Sequence, residues 1–214
     1  MKTILFVLIL TVTQLFAQQD PKAKAILDQL SEKNKKFESM QVKFNYIIEN
    51  QQTKKTDKHE GNISIKAEKY KLFMMKNEIY YDGKSLSTYM TESNEANISN
   101  ADPNDKTTLN PAKFMTIYES GFKYKLLGEK KIGTVLCHEI DLIPNDIKGK
   151  KYSRVKLYVD KTAMQIKSIQ SVGKDGISLT VEVLDFKPNV PMDDKTFTFD
   201  AKAHPGVEII DVRD

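Results

Sequence analysis

At 214 residues, 40% hydrophobic and 29% charged, the chain has the makings of one large domain and is neither a disordered polymer nor a helical integral membrane protein. Its lysines and arginines number 33 against 29 acids, yet only Arg154 and Arg213 are arginines and no recognition motif accompanies them, so a nucleic-acid binder is excluded. A single cysteine, Cys137, excludes an internal disulfide and any multi-cysteine metal site.

In chain order, Met1 and Lys2 give a short positive start, residues 4–12 (ILFVLILTV) an apolar core, and Ala17 a small residue at a cleavage position. This layout predicts a secretory signal peptide over residues 1–17, because residues 4–16 fall short of the roughly 20 needed to span a bilayer as a helix. The mature chain is expected to begin at Gln18 as one domain over 18–214. Gln18 stands where a bacterial lipoprotein would carry its acylated cysteine, so the expected product is exported, soluble and without an acyl anchor.

Asp20 and Pro21 read as an N-cap followed by proline at the first helical position. Ala23, Ile26, Leu27, Leu30, Asn34 and Phe37 then recur at helical spacing and predict one amphipathic helix with a single apolar stripe. Beyond it the period changes to two. Met40, Val42, Phe44, Tyr46 and Ile48 alternate with Gln41, Lys43, Asn45 and Ile47, as in a half-buried strand. Residues 50–60 are polar and predict a turn, and Ile63, Ile65 and Ala67 a second strand. Leu72 and Met74 fall within a strand over 70–76, which is followed by strands at 78–81 and 85–90 around the Asp82-Gly83 hairpin signal. A short strand near 96–99 precedes a polar, turn-rich stretch over 100–110. Pro111 then opens a short helix with Phe114, Met115, Ile117 and Tyr118 as its apolar members. Further strands are expected at 122–127, 135–143, 155–159, 164–172 and 177–186, a loop at 188–195, and short strands at 197–199 and 207–212.

Around ten antiparallel strands exceed what an open sheet carries without curling. The expected fold is therefore mainly β with α: a strongly curved, incomplete antiparallel barrel whose helices cover the concave apolar side. A flat two-sheet sandwich is the alternative. Met40, Val42, Phe44, Tyr46, Ile63, Ile65, Leu72 and Met74 should share the concave face. From periodicity alone, such a face is more often packed core than the wall of a cavity.

Motifs for chemistry are missing from the sequence. His59, His138 and His204 are scattered and do not have zinc-ligand spacing. Cys137 and His138 are neighbours on a strand and point to opposite faces. Neither nucleophile-elbow, zincin, Walker nor dinucleotide patterns occur, so no catalytic residue, metal site or cofactor is expected. Cys137 reads as a small buried hydrophobe.

The order of elements resembles the outer-membrane lipoprotein carrier family, the periplasmic LolA-like proteins. The resemblance is carried by the helix leading into Met40 to Phe44 (MQVKF), the Gly61 strand, and Ile79 to Tyr89 (IYYDGKSLSTY) in place of the family's D-G-K-x-L-W-x-Y segment. Asn110 and Pro111 opening a short helix, Val155 to Asp160 (VKLYVD), residues 166–170, Phe197 to Phe199 and Pro205 to Ile210 agree as well. The family's Arg-Pro after the second strand, whose arginine ties lid to barrel, is here Lys66 to Lys69 (KAEK). The family's tryptophans are also missing, with Ser87 and Tyr89 in the D-G-K segment. The resemblance implies a divergent, monomeric periplasmic carrier with Ile26, Leu27, Leu30 and Phe37 on a lid helix. Its implied partners are acylated lipoproteins, an inner-membrane lipoprotein-releasing ABC transporter and an outer-membrane receptor. An exported binding or adhesion module with a filled core, or a carrier of another lipid, is the alternative function.

Overall fold

The computed structural model describes residues 19–101 and 111–213. The expected signal peptide lies outside the described residues, as does most of the polar stretch over 100–110. So do the side chains of residues 111–114, Phe114 among them.

Helix α1 (Pro21–Asn34) begins where Asp20 caps it, one carboxylate oxygen accepting from the amides of Lys22 at 2.9 Å and Ala23 at 3.3 Å. The other oxygen accepts from the Leu126 amide at 3.0 Å, so the cap also pins the helix to the sheet. These amides, Leu126 first, hold the Asp20 carboxyl below its usual pKa. Ala23, Leu27, Leu30 and Asn34 are the buried stripe. Phe37 lies just beyond the helix, in the connection to the first strand, and packs on Phe186 with ring centroids 5.5 Å apart. The 3.6-residue spacing thus carries Phe37 past the point where the helix ends.

Among the described residues twelve strands follow: β1 (Ser39–Asn50), β2 (Thr56–Lys66), β3 (Lys69–Met74), β4 (Asn77–Tyr81), β5 (Ser85–Met90), β6 (Glu95–Asn100), β7 (Phe122–Ile132), β8 (Val135–Pro144), β9 (Tyr152–Asp160), β10 (Gln165–Gly173), β11 (Ile177–Pro188) and β12 (Glu208–Asp211). They form one sheet in the order β12-β6-β5-β4-β3-β2-β1-β11-β10-β9-β8-β7. It is an incomplete barrel, not a two-sheet sandwich. Ile79 of β4 and Val155 of β9 line the same cavity although six inter-strand steps separate them, about 29 Å in a flat sheet at 4.8 Å per step. Only strong curvature brings them together. Bulges assist it, one between β1 and β11 at Lys43/Phe44 and another between β7 and β8 at Leu126/Gly128.

Three expectations are corrected at the level of elements. The turn after β1 is shorter than its polar composition suggests, because β2 already starts at Thr56. Residues 197–199 do not form a strand: Asp193 caps a 3-10 turn over Asp194–Phe197, and Phe197 is fully buried. β12 pairs with β6 in parallel, not antiparallel. The segment between these two elements packs Phe199 and His204 against Tyr80 and Tyr89, whose rings point away from the concave face.

The apolar interior has two parts. Under α1, Ala23, Leu27 and Leu30 pack with Ile140, Leu142, Leu157, Val159 and Ile166 of β8–β10. The second part is Val42, Phe44, Ile63, Ile65, Tyr70, Leu72 and Val183 of β1–β3 and β11. Met40 and Phe186 touch both.

Candidate functional site

Between these two regions lies a cavity of about 360 Å³, at the lower end of the ~300–1,000 Å³ usual for ligand pockets. Its walls follow from cross-strand register. Val42 faces Ile63 and Phe44 faces Gly61 across β1–β2; Ile63 faces Leu72 across β2–β3, and Leu72 faces Ile79 across β3–β4. On the other side of β1, Phe44 faces Val183, Tyr46 faces Val181, and Val181 faces Ile169. Period two on each strand therefore sends these side chains to one face.

Of the eight residues placed on this face from sequence, Val42, Phe44, Tyr46, Ile63, Ile65, Leu72 and Met74 line the cavity. Met40 does not. It sits one pair beyond Val42, opposite Ile65, where the two apolar regions meet and the space is filled. Of the lid residues, Leu27 and Leu30 pack over β8–β10 with Ile26 against that cluster, and neither they nor Phe37 reach the cavity. The roof comes instead from the 3-10 helix over Pro111–Glu119, through Met115 and Ile117. Sequence reasoning also missed Ile79, Val155, Ile169, Ser171, Leu179, Val181 and Val183 as wall residues. Alternation at 177, 179, 181 and 183 was a usable signal. What the sequence does not display is that β11 is the partner of β1.

Gly61 is required by the wall. A Cβ there would stand 2.5 Å from the Phe44 ring and 2.9 Å from the Phe73 carbonyl oxygen, so the Phe44 ring occupies the space above the glycine.

The electrostatics are those of a hydrocarbon surface. None of the sixteen described lining residues is charged, and Ser171 and the Tyr46 hydroxyl supply the only polar side-chain atoms among them. Burial raises the Tyr46 phenol above its usual pKa, keeping it neutral. No group of three or more histidine, cysteine or carboxylate side chains among the described residues is placed to hold a metal. Such a wall holds a ligand by removing apolar surface from water, without directed bonds.

The roof is fastened to α1. The buried Asn34 amide donates to the Met115 carbonyl at 3.2 Å and to the Tyr118 hydroxyl at 3.3 Å, and the Ser31 hydroxyl bonds Glu119. The lysines standing where the family arginine is expected do something else. Lys66 and Lys69 clasp Asp194 at 2.9 and 2.7 Å, tying down the segment after β11. In this chain the roof is fastened through Asn34 and Ser31, and not through these lysines.

A curved, unclosed sheet around an uncharged, mostly apolar cavity defines a container for an apolar ligand. The sequence model described as outer membrane lipoprotein carrier protein LolA matches residues 13–171, and the chain belongs to that family. No curated protein matches the chain. Among solved structures, it is similar to an uncharacterized conserved protein from Thermus thermophilus, with 14% identity and a TM-score of 0.56 over 89% of this chain and 99% of the other. It is also similar to the Mycobacterium tuberculosis lipoprotein LppX, with 12% identity and a TM-score of 0.51 over 81% of this chain and all of the other. At these identities the likeness is one of fold.

Proposed function

We propose that the protein is a periplasmic carrier that shelters the acyl chains of lipoproteins and moves them from the inner to the outer membrane. The observation that carries this reading is the cavity: about 360 Å³, uncharged throughout its described lining, and inside a member of the lipoprotein-carrier family. Val42, Phe44, Tyr46, Ile63, Ile65, Leu72 and Met74 form the acyl-chain wall together with β11, and Met115 and Ile117 close it. A volume at the low end of the ligand-pocket range suits one chain rather than a bundle of three. Burying a long chain at ~0.8 kcal/mol per methylene contributes on the order of 10 kcal/mol against exposure to water. Loading and release then need no catalytic residue, only donors and acceptors of different affinity. An inner-membrane ABC transporter and an outer-membrane receptor fill those roles in this reading, and the carrier acts as a monomer exported through the leader over residues 1–17.

Mass spectrometry of apolar material extracted from protein purified from its native compartment tests the reading. Acylated lipoprotein or its acyl chains should co-purify. Recovery of ligand-free protein, or of a polar ligand, counts against it.

A further inference from the structure

The cavity wall is more exposed toward one end of the sheet than toward the other. Toward the start of β1, Ile65 and Val42 are almost fully buried, whereas Tyr46, Met74, Ser171 and Leu179 are only partly buried, as are Ile79, Ile117 and Val181 elsewhere in the wall. Tyr46, Met74, Ser171 and Leu179 lie toward the same end of the sheet. Met74 closes β3, Ser171 pairs with Leu179, and Leu179 pairs with Ile48 near the end of β1. The loops at that end include residues 51–55, 145–151 and 174–176, joining β1 to β2, β8 to β9, and β10 to β11, besides the turns at 75–76 and 91–94, where Lys76 is paired with Glu92.

The three loops are tied into one row. The Gln51 amide donates to the Gly176 carbonyl, and the Lys174 amide to the Lys151 carbonyl, each at 2.9 Å. The Lys174 ammonium donates to the Ile147 carbonyl, also at 2.9 Å. The row holds six lysines (54, 55, 148, 150, 151 and 174) against two aspartates, an excess equal to the net charge of the entire chain. Both aspartates are engaged in turns, Asp146 accepting from the Lys148 amide and Asp175 from the Ile177 amide. Among the described residues no ion pair neutralises any of the six lysines, five of which are exposed. At the tip stands Ile147, a large apolar side chain in a residue 54% exposed.

We propose that these three loops are a docking face for the anionic headgroups of a lipid bilayer, with Ile147 entering the interface beside the cavity mouth. The lysines stand on neighbouring exposed turns beside an exposed apolar side chain. A flat anionic surface satisfies such an arrangement, each lysine near it strengthening binding about fivefold. The purpose of the face rests on the carrier reading: a cavity mouth held against a membrane lets an acyl chain move between bilayer and protein without crossing water. Its existence does not.

The test is flotation of the exported protein with vesicles of phosphatidylglycerol and phosphatidylcholine, compared with phosphatidylcholine alone. Binding should require phosphatidylglycerol and disappear at 1 M salt, where the screening length falls to about 3 Å. The variant K55Q/K148Q/K151Q changes only exposed side chains and should weaken it roughly a hundredfold, with an unchanged circular dichroism spectrum. Ile147→Ser should weaken binding to the phosphatidylglycerol vesicles at low salt. Equal binding to both vesicles, or undiminished binding of the triple variant, overturns the proposal. Binding to polyglutamate without binding to vesicles also overturns it and assigns the face to an acidic protein. Capture of an acylated peptide in solution should be the same in wild type and triple variant. If wild type fails to capture while vesicle binding holds, the carrier reading falls and the docking face stands.

Discussion

Replacing Val181 with phenylalanine separates a cavity wall from packed core. Val181 sits mid-wall on β11, opposite both Tyr46 and Ile169, which also face the cavity, and is only partly buried. Phenylalanine adds roughly four carbons, which in a packed core would cost about 1–3 kcal/mol through forced rotamers and backbone shifts. For a domain of this size that is a fall in Tm of roughly 2–4 °C for each kcal/mol. Where the side chain projects into about 360 Å³ of space, the cost is small and the loss appears in ligand capture. If the ring displaces about three methylenes of a bound chain, at ~0.8 kcal/mol each, affinity falls by ~2.4 kcal/mol, roughly fiftyfold at 1.4 kcal/mol per factor of ten. Thermal unfolding followed by circular dichroism, with fluorescence titration of an acylated peptide, reads both quantities. Val181→Phe should melt within about 2 °C of wild type and bind the peptide far more weakly. A large drop in Tm with unchanged capture would refute the reasoning and make this face a filled core.

Four further outcomes follow from particular contacts. Asn34→Ala removes both hydrogen bonds to the roof and leaves the Met115 carbonyl without that donor; stability should fall by about 1–3 kcal/mol and captured chains should leave faster, and stability loss without faster release would deny Asn34 a latch role. Gly61→Ala drives a methyl into the Phe44 ring, so both Tm and capture should fall, and wild-type behaviour in both would contradict the close approach. Burial pushes the Cys137 thiol up to about 11, so a disulfide reagent at neutral pH should label only unfolded protein; rapid labelling of native protein would place the thiol at the surface. Hydrogen bonds from Lys69 and Lys66 hold the Asp194 carboxyl at about 2, below its usual 3.8. Its contribution to stability is therefore complete above about pH 4 and is lost as pH falls from there through 2. An NMR titration should find its midpoint near 2 in wild type and higher in Lys69→Gln, and an ordinary midpoint in wild type would break the clasp.

The concave wall was legible where one strand carried it. Val42, Phe44 and Tyr46 alternate without interruption, and a period-two pattern fixes which side chains share a face whatever the partner strand turns out to be. Partners were not legible. β1 meets β11 across more than a hundred residues of chain, and no local pattern encodes that pairing. Hence the β11 half of the wall was missed, and Met40, correctly placed on the face, could not be located at its filled end. The helix stripe showed that Leu27 and Leu30 are buried but not which strands they cover; tertiary packing puts them over β8–β10 and leaves the roof to Met115 and Ile117. At residues 197–199 the β-propensity of Phe-Thr-Phe was overridden by the Asp193 cap and the burial of Phe197. The role of Asn34 in fastening the roof was invisible for a further reason: an asparagine in an apolar helix stripe reads as a gap in the pattern until the carbonyl it bonds is in view.

The most direct test of a cavity that shelters acyl chains is calorimetric titration with a palmitoylated peptide and with the same peptide lacking its acyl chain, repeated at several temperatures. The acylated peptide should bind with a negative heat-capacity change, the mark of apolar burial, and the unacylated peptide should not bind. Equal binding of the two peptides, or binding of neither, would contradict the account.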